Sequence, residues 1–183
     1  MISILGNTDH KVRRLLRGKN FKKPRKAEKR IMYTWTADHL SPENAAYLGG
    51  MKQQAILEME GWRIGVFHGS PASPDEFLFS DTPTLRFQEL ARKTDCSIII
   101  TGHSHTPYHK KVLGRHFINP GSVGRMFDGN PAASWAVLEL NGDQVRVRHF
   151  RTPYDVDRVV RTLAENLLPP IYGVMYRQGR KLN

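Results

Sequence analysis

Along the chain, short apolar runs alternate with stretches whose apolar residues recur at helical spacing. Residues 63–67 (Arg-Ile-Gly-Val-Phe) and 97–101 (Ser-Ile-Ile-Ile-Thr) predict strands, the second of the continuous apolar kind buried on both faces. Residues 2–5 (Ile-Ser-Ile-Leu) predict a further strand at the start. Asp9 is placed to cap a short helix carrying Val12, Leu15 and Leu16, with Gly18 as its stop. Ser41-Pro42 puts a capping serine before a proline at the first helical position, and the helix it opens should end at Gly49-Gly50. Thr82-Pro83 repeats that pattern ahead of Leu85, Leu90 and Ala91.

The last third changes style. Residues 134–140 and 144–150 flank Asn141-Gly142-Asp143, a hairpin signature. Val145 and Val147 alternate with Arg146 and Arg148, which predicts one buried and one wet face. A helix over residues 155–167 follows, with Val156, Val159, Val160 and Leu163 on one side, and Pro169-Pro170 ends it. Strands alternating with helices predict an α/β fold, and 183 residues suggest a single domain over residues 1–183.

Composition adds bounds. With 39% apolar and 25% charged residues the chain reads as globular, and no apolar run approaches the ~20 residues that span a bilayer. A lone cysteine, Cys96, lies in an apolar stretch. It is read as a buried, inert thiol in a reducing, cytoplasmic setting. The net charge of +11 is concentrated: the tract from Lys11 to Arg30 holds 11 of the 28 basic residues and one of the 17 acids, Glu28, leaving 17 basic against 16 acidic residues elsewhere. Within it Lys22-Lys23-Pro24-Arg25-Lys26 is read as an exposed, solvated loop. The alternative is that Lys11 to Arg30 binds nucleic acid or a polyanionic substrate, although little aromatic interleaving supports base stacking.

The chemistry gathers where three predicted strands end: in Gly6-Asn7, in His68-Gly69 and in Gly102-His103-Ser104-His105. Sites in open α/β sheets form at the carboxyl ends of strands, so the three loops would converge if the strands are parallel neighbours. Each brings a neutral metal donor beside a glycine. In an extended segment His103 and His105 would point the same way and reach the same ion or ions. A single histidine is ordinarily solvated or hydrogen-bonded, and His10, His39, His109, His116 and His149 are read that way.

At these residues the chain resembles the calcineurin-like metallophosphoesterases, in their small bacterial and archaeal phosphodiesterase branch. Gly102-His103-Ser104-His105-Thr106-Pro107 is similar to the family's last metal motif, and Asn119-Pro120-Gly121-Ser122-Val123-Gly124 to the segment after it. Phe67-His68-Gly69-Ser70 resembles its middle histidine motif and Gly6-Asn7-Thr8-Asp9 its Gly-Asn-x-Asp motif. Residues 40–44 and 151–155 also fit family habits. The resemblance implies a two-sheet αββα sandwich around a dinuclear centre. Asn7, His68 and His103 would bind one ion and His105 the other, with Mn²⁺ favoured and Zn, Fe or Ni acceptable to imidazole. It implies hydrolysis of a phosphate ester by metal-activated water.

Two departures qualify that. The family's opening Asp-x-His and Gly-Asp motifs, which supply the carboxylates, have no counterpart before Asn7. The chain is therefore expected to be a fragment or to have a late-assigned start, weak or inactive alone, and N-terminally incomplete by one strand-helix-strand unit. Thr8 stands where many relatives carry a histidine, and a helix starting there would turn His10 away from the donors. A non-catalytic binding or scaffold module on the same fold is the alternative to an enzyme. No residue is assigned as catalytic or substrate-binding.

Overall fold

The computed structural model describes residues 1–21 and 24–183; Lys22 and Lys23, two of the five residues of the expected basic loop, lie outside the described residues. Helices α1 (Asn7–Leu16), α2 (Ala27–Asp38) and α3 (Pro42–Gly50) come first. A five-stranded sheet follows from β1 (Gln54–Met59), β2 (Trp62–Phe67), β3 (Ile98–Ile100), β4 (Tyr108–Val112) and β5 (Arg115–Asn119), with α4 (Thr84–Ala91) between β2 and β3. Its order is β1-β2-β3-β5-β4. Strands β2, β3 and β5 run parallel, and β1 and β4 pair antiparallel at the edges. Strands β6 (Ala133–Asn141) and β7 (Gln144–Thr152) form a second, two-stranded sheet, and α5 (Val156–Glu165) and α6 (Ile171–Gln178) close the chain.

The sheets pack face to face as the alternation in β7 predicts. Ile64, Ile98 and Ile118 of the large sheet meet Leu138, Leu140, Val145 and Val147 of the small one. On the other face Phe67, Ile99, Tyr108 and Phe117 are covered by Phe87, Leu90 and Ala91 of α4. Cys96 is fully buried there, as expected. This is the expected mixed α/β plan with a main and a small second sheet. A third cluster, Leu5, Val12 and Leu48 with Tyr33, Ala37, Leu40 and Met51, ties the N-terminal helices together.

Local signals held in part. Ser41 Oγ accepts from the Asn44 amide at 3.2 Å with Pro42 at the helix start, and Asp155 caps α5 by accepting from the Arg158 amide at 2.8 Å. The 141–144 turn closes β6 on β7 with Gly142 at φ 57°. Four expectations need correction. Residues 2–5 form no strand: Ile4 makes one parallel bridge to Lys52 and the Leu5 amide donates to the Lys52 carbonyl at 2.7 Å. Only Leu5 of that segment is buried, so nothing rewards extending the pairing. Asp9 is not a cap but the third residue of α1, and its carboxylate accepts from the Gly6 amide at 2.8 Å. The residue before α4 is Pro83, while Thr82 Oγ1 accepts from the Phe79 amide at 2.9 Å and closes the preceding turn. The fourth correction concerns His103 and His105.

Candidate metal centre

Strand β2 delivers His68 from its carboxyl end, and β3, its parallel neighbour, delivers residues 102–105. The Gly102 amide donates to the His68 carbonyl at 2.9 Å, fastening the two loops. Asn7 arrives differently, on the first turn of α1. His68 Nε2 lies 3.3 Å from Asn7 Oδ1 and 3.0 Å from His103 Nδ1. Donors held at about 2.0–2.2 Å around one ion sit about 3 Å apart, so these three atoms have the spacing of a shared ligand set.

The glycines serve this convergence by letting the protein approach itself. A Cβ on Gly69 would fall 2.5 Å from the Ser73 carbonyl, and one on Gly6 3.1 Å from the His68 ring. Behind His68, Ser70 hydrogen-bonds Glu76, whose carboxylate accepts from Arg86 at 2.7 Å.

His103 and His105 are not extended. Both occupy the left-handed region, at φ 62° and 56°, which non-glycine residues visit rarely and which clusters at functional sites. The Ser104 amide donates to the Gly102 carbonyl at 2.7 Å, a tight turn that rules out strand geometry. The two imidazoles therefore separate. His103 joins His68. His105 Nδ1 donates to the Arg125 carbonyl at 2.5 Å, which leaves its Nε2 as the free donor atom.

Asn119, fully buried at the end of β5, holds this turn. Its Nδ2 donates to the Gly102 carbonyl and to Ser104 Oγ, both at 2.9 Å, and its Oδ1 accepts from the Gly121 amide at 2.9 Å. His149 Nε2 donates to the Asn119 carbonyl at 2.9 Å, linking the small sheet to the same residue.

Burial depresses all three site histidines below the usual imidazole range. His68 goes down despite the opposing pull of Asp9 and Asp75. His103 falls to about 4, through burial first and then the neighbouring His68. His105 goes down through burial against the pull of the Arg125 carbonyl. Neutral imidazoles are the form that binds metals. The set Asn7, His68 and His103 thus fits one divalent ion. His105 alone is left for a second, and among the described residues no three His, Cys, Asp or Glu side chains converge.

A cavity of about 240 Å³ opens beside His103 and His105, lined also by Asn7, Thr8, Lys29, Phe77, Arg125, Phe127 and Lys181. Phe77 packs on His103 with ring centroids 4.1 Å apart, and Phe127 stacks on His105 at 4.3 Å. Sequence reasoning missed Phe77, Arg125, Phe127 and Lys181, which carry no local motif and meet only through the tertiary fold. It also missed Asp75, whose carboxylate acts on His68 and His103. His10 lines a separate cavity with Asp75, Lys11 and Arg14. His39 Nδ1 bonds the Trp35 carbonyl at 2.8 Å, and His109 and His116 bond each other at 2.9 Å.

Residues 1–143 match the family model of the calcineurin-like phosphoesterase superfamily domain. An uncharacterized protein of Methanocaldococcus jannaschii is 25% identical over 82% of this chain and 65% of its own length. A probable metallophosphoesterase of Methanothermobacter thermautotrophicus is 30% identical over 56% of this chain and 55% of its own. The chain thus spans under two thirds of the length of these relatives. Among solved structures, a metallophosphoesterase from Sphaerobacter thermophilus matches 98% of this chain and 77% of its own, with TM-score 0.79 and 24% identity. A hypothetical protein from Pyrococcus horikoshii matches 99% of this chain and 74% of its own, with TM-score 0.85 and 17% identity. With the family model covering most of its length, the chain belongs to the calcineurin-like phosphoesterase superfamily.

Proposed function

We propose that the chain is a metal-dependent phosphoesterase. The observation that carries this reading is the meeting of Asn7 Oδ1, His68 Nε2 and His103 Nδ1 within 3.0–3.3 Å of one another along a chain of contacts. Asn7, His68 and His103 would hold one ion, and His105, through Nε2, would contribute to a second. Such ions supply Lewis-acid polarisation of a phosphate oxygen and a hydroxide nucleophile near neutral pH. The chain's own residues do the rest. The Asn119 network fixes the 102–105 turn, the Arg125 carbonyl sets the His105 tautomer, and Phe77 and Phe127 wall the two imidazoles. Mn²⁺ is the favoured metal, from the resemblance alone, with Zn, Fe or Ni acceptable to imidazole. The protein acts as one domain in the cytoplasm.

The test is hydrolysis of bis(p-nitrophenyl) phosphate by the 183-residue protein with Mn²⁺. The expected outcome is slow, chelator-sensitive turnover that His103→Ala abolishes. It should be slow because His105 is the one imidazole available to a second ion. The same poverty of donors favours a second reading, a binding or scaffold module. Mn²⁺ binding without turnover on Mn²⁺, Zn²⁺ or Fe²⁺ would establish that reading and overturn hydrolysis.

A further inference from the structure

Three cations border the 240 Å³ cavity, and each comes from a different part of the chain: Lys29 from α2, Arg125 from the loop after β5, and Lys181 from the segment after α6. The Lys181 ammonium lies 5.0 Å over the Phe77 ring and 5.9 Å over the Phe127 ring. The Arg125 guanidinium lies 5.4 Å over the same Phe127 ring and 5.2 Å over Tyr172. Phe127 also stacks on His105, and Phe77 packs at a tilt against His103. The two phenylalanines thus seat cations and imidazoles in one layered wall.

Among the described residues none of the three cations is paired with a carboxylate within ion-pair distance. Their mutual repulsion is visible at Lys29, whose ammonium is depressed by burial and then by Lys181, Lys26 and Arg125. Like charges gathered without a counter-charge are costly, and a bound anion removes that cost. At about 240 Å³ the cavity has room for several water-sized groups, each needing about 10–15 Å³ on the same measure.

We propose that Lys29, Arg125 and Lys181 form a polyphosphate subsite, so that the substrate carries at least one further phosphate beside the one presented to Asn7, His68 and His103. Guanidinium and ammonium groups meet phosphate oxygens in charge-assisted hydrogen bonds. The ring faces already hold cations and imidazoles, so recognition is of charge and not of a stacked base. Only the identity of the phosphate cleaved rests on the phosphoesterase reading; polyanion binding stands apart from it.

The test is calorimetric titration of the full chain, stripped of metal on a chelating resin, with inorganic tripolyphosphate and with orthophosphate. Tripolyphosphate should bind at least roughly ten-fold tighter. Lys29→Met and Lys181→Met should each weaken it roughly ten-fold and flatten its salt dependence. Lys181→Arg should restore binding, and Lys93→Met, on a distant surface, should leave it unchanged. Equal affinity for the two anions, or equal loss in Lys93→Met and Lys181→Met, would overturn the subsite. Mn²⁺ affinity of the same preparation, followed by electron paramagnetic resonance without phosphate, separates the two readings. Tripolyphosphate binding without binding of Mn²⁺, Zn²⁺, Fe²⁺ or Ni²⁺, followed by calorimetry for the last three, leaves the subsite standing and removes the phosphoesterase reading. The converse does the opposite.

Discussion

Asn119 shows how much one buried amide can govern. It satisfies the Gly102 carbonyl, Ser104 Oγ and the Gly121 amide at once, and its side chain is out of reach of water. Asn119→Ala would orphan several buried groups, which should destabilise the fold by about 3 kcal/mol in urea unfolding. At conditions where the variant is still folded, its Mn²⁺ affinity should fall, because the 102–105 turn loses its anchor. Asn130→Ala, which loses one exposed hydrogen bond from the Ala132 amide, should cost far less and leave Mn²⁺ affinity unchanged. The site was half legible in the sequence at this scale. Asn7, His68, His103 and His105 stand out because each is a metal-donor type close to a glycine at the end of an apolar run. Their backbone does not. Alternation in sequence suggests extended chain, whereas both histidines sit at positive φ in a turn held by a residue from another strand.

Elements were legible where their own residues supply the reason. The cap at Ser41, the Asn141-Gly142 turn and the apolar run of β3 are local causes with local effects. Strand β1 reads Gln-Ala-Ile-Leu-Glu-Met, which suits a helix, and β4 carries His109, Lys110 and Lys111. Both are edge strands, made strands by the neighbour they pair with and not by their own pattern. Helix α6 escaped because Pro169-Pro170 reads as a stop, yet Pro170 is the residue from which the next helix starts. The loop joining β2 to α4 has its own fastening. Burial pushes the Glu76 carboxyl up, but hydrogen bonds from Arg86 and Ser70 outweigh it and hold it below the ordinary range. A lowered carboxyl contributes stability that is fully present above the unfolded value, about 4.3, and is lost as pH falls through the folded one. Glu76→Gln should therefore lower stability at neutral pH and flatten its decline below about pH 4.3, measured as the urea midpoint against pH.

At the scale of the molecule, the two sheets and the helical cluster of Leu5, Val12 and Leu48 are joined through the site, by His68 with Asn7 and by His149 with Asn119. Unfolding should then be one cooperative transition, with far-ultraviolet circular dichroism and tryptophan fluorescence coinciding. Trp35 in α2, Trp62 in β2 and Trp135 in β6 report from all three regions, so separated transitions would show independent units. Among the described residues no helix is long and apolar enough to cross a membrane. The basic tract, which in sequence looked like one feature, divides in space. Arg14 and Arg30 donate to the carbonyls of Asn20 and Pro24, and Lys29 turns into the cavity. Cys96 lies sealed between the large sheet and α4 and is the chain's sole thiol. A thiol reagent therefore reacts only when that core opens, with a single stoichiometry and no competing site. Its labelling rate is a clock for how often the protein exposes its interior under native conditions, and a change in that rate on adding metal or polyphosphate reads occupancy of the site from the other end of β3.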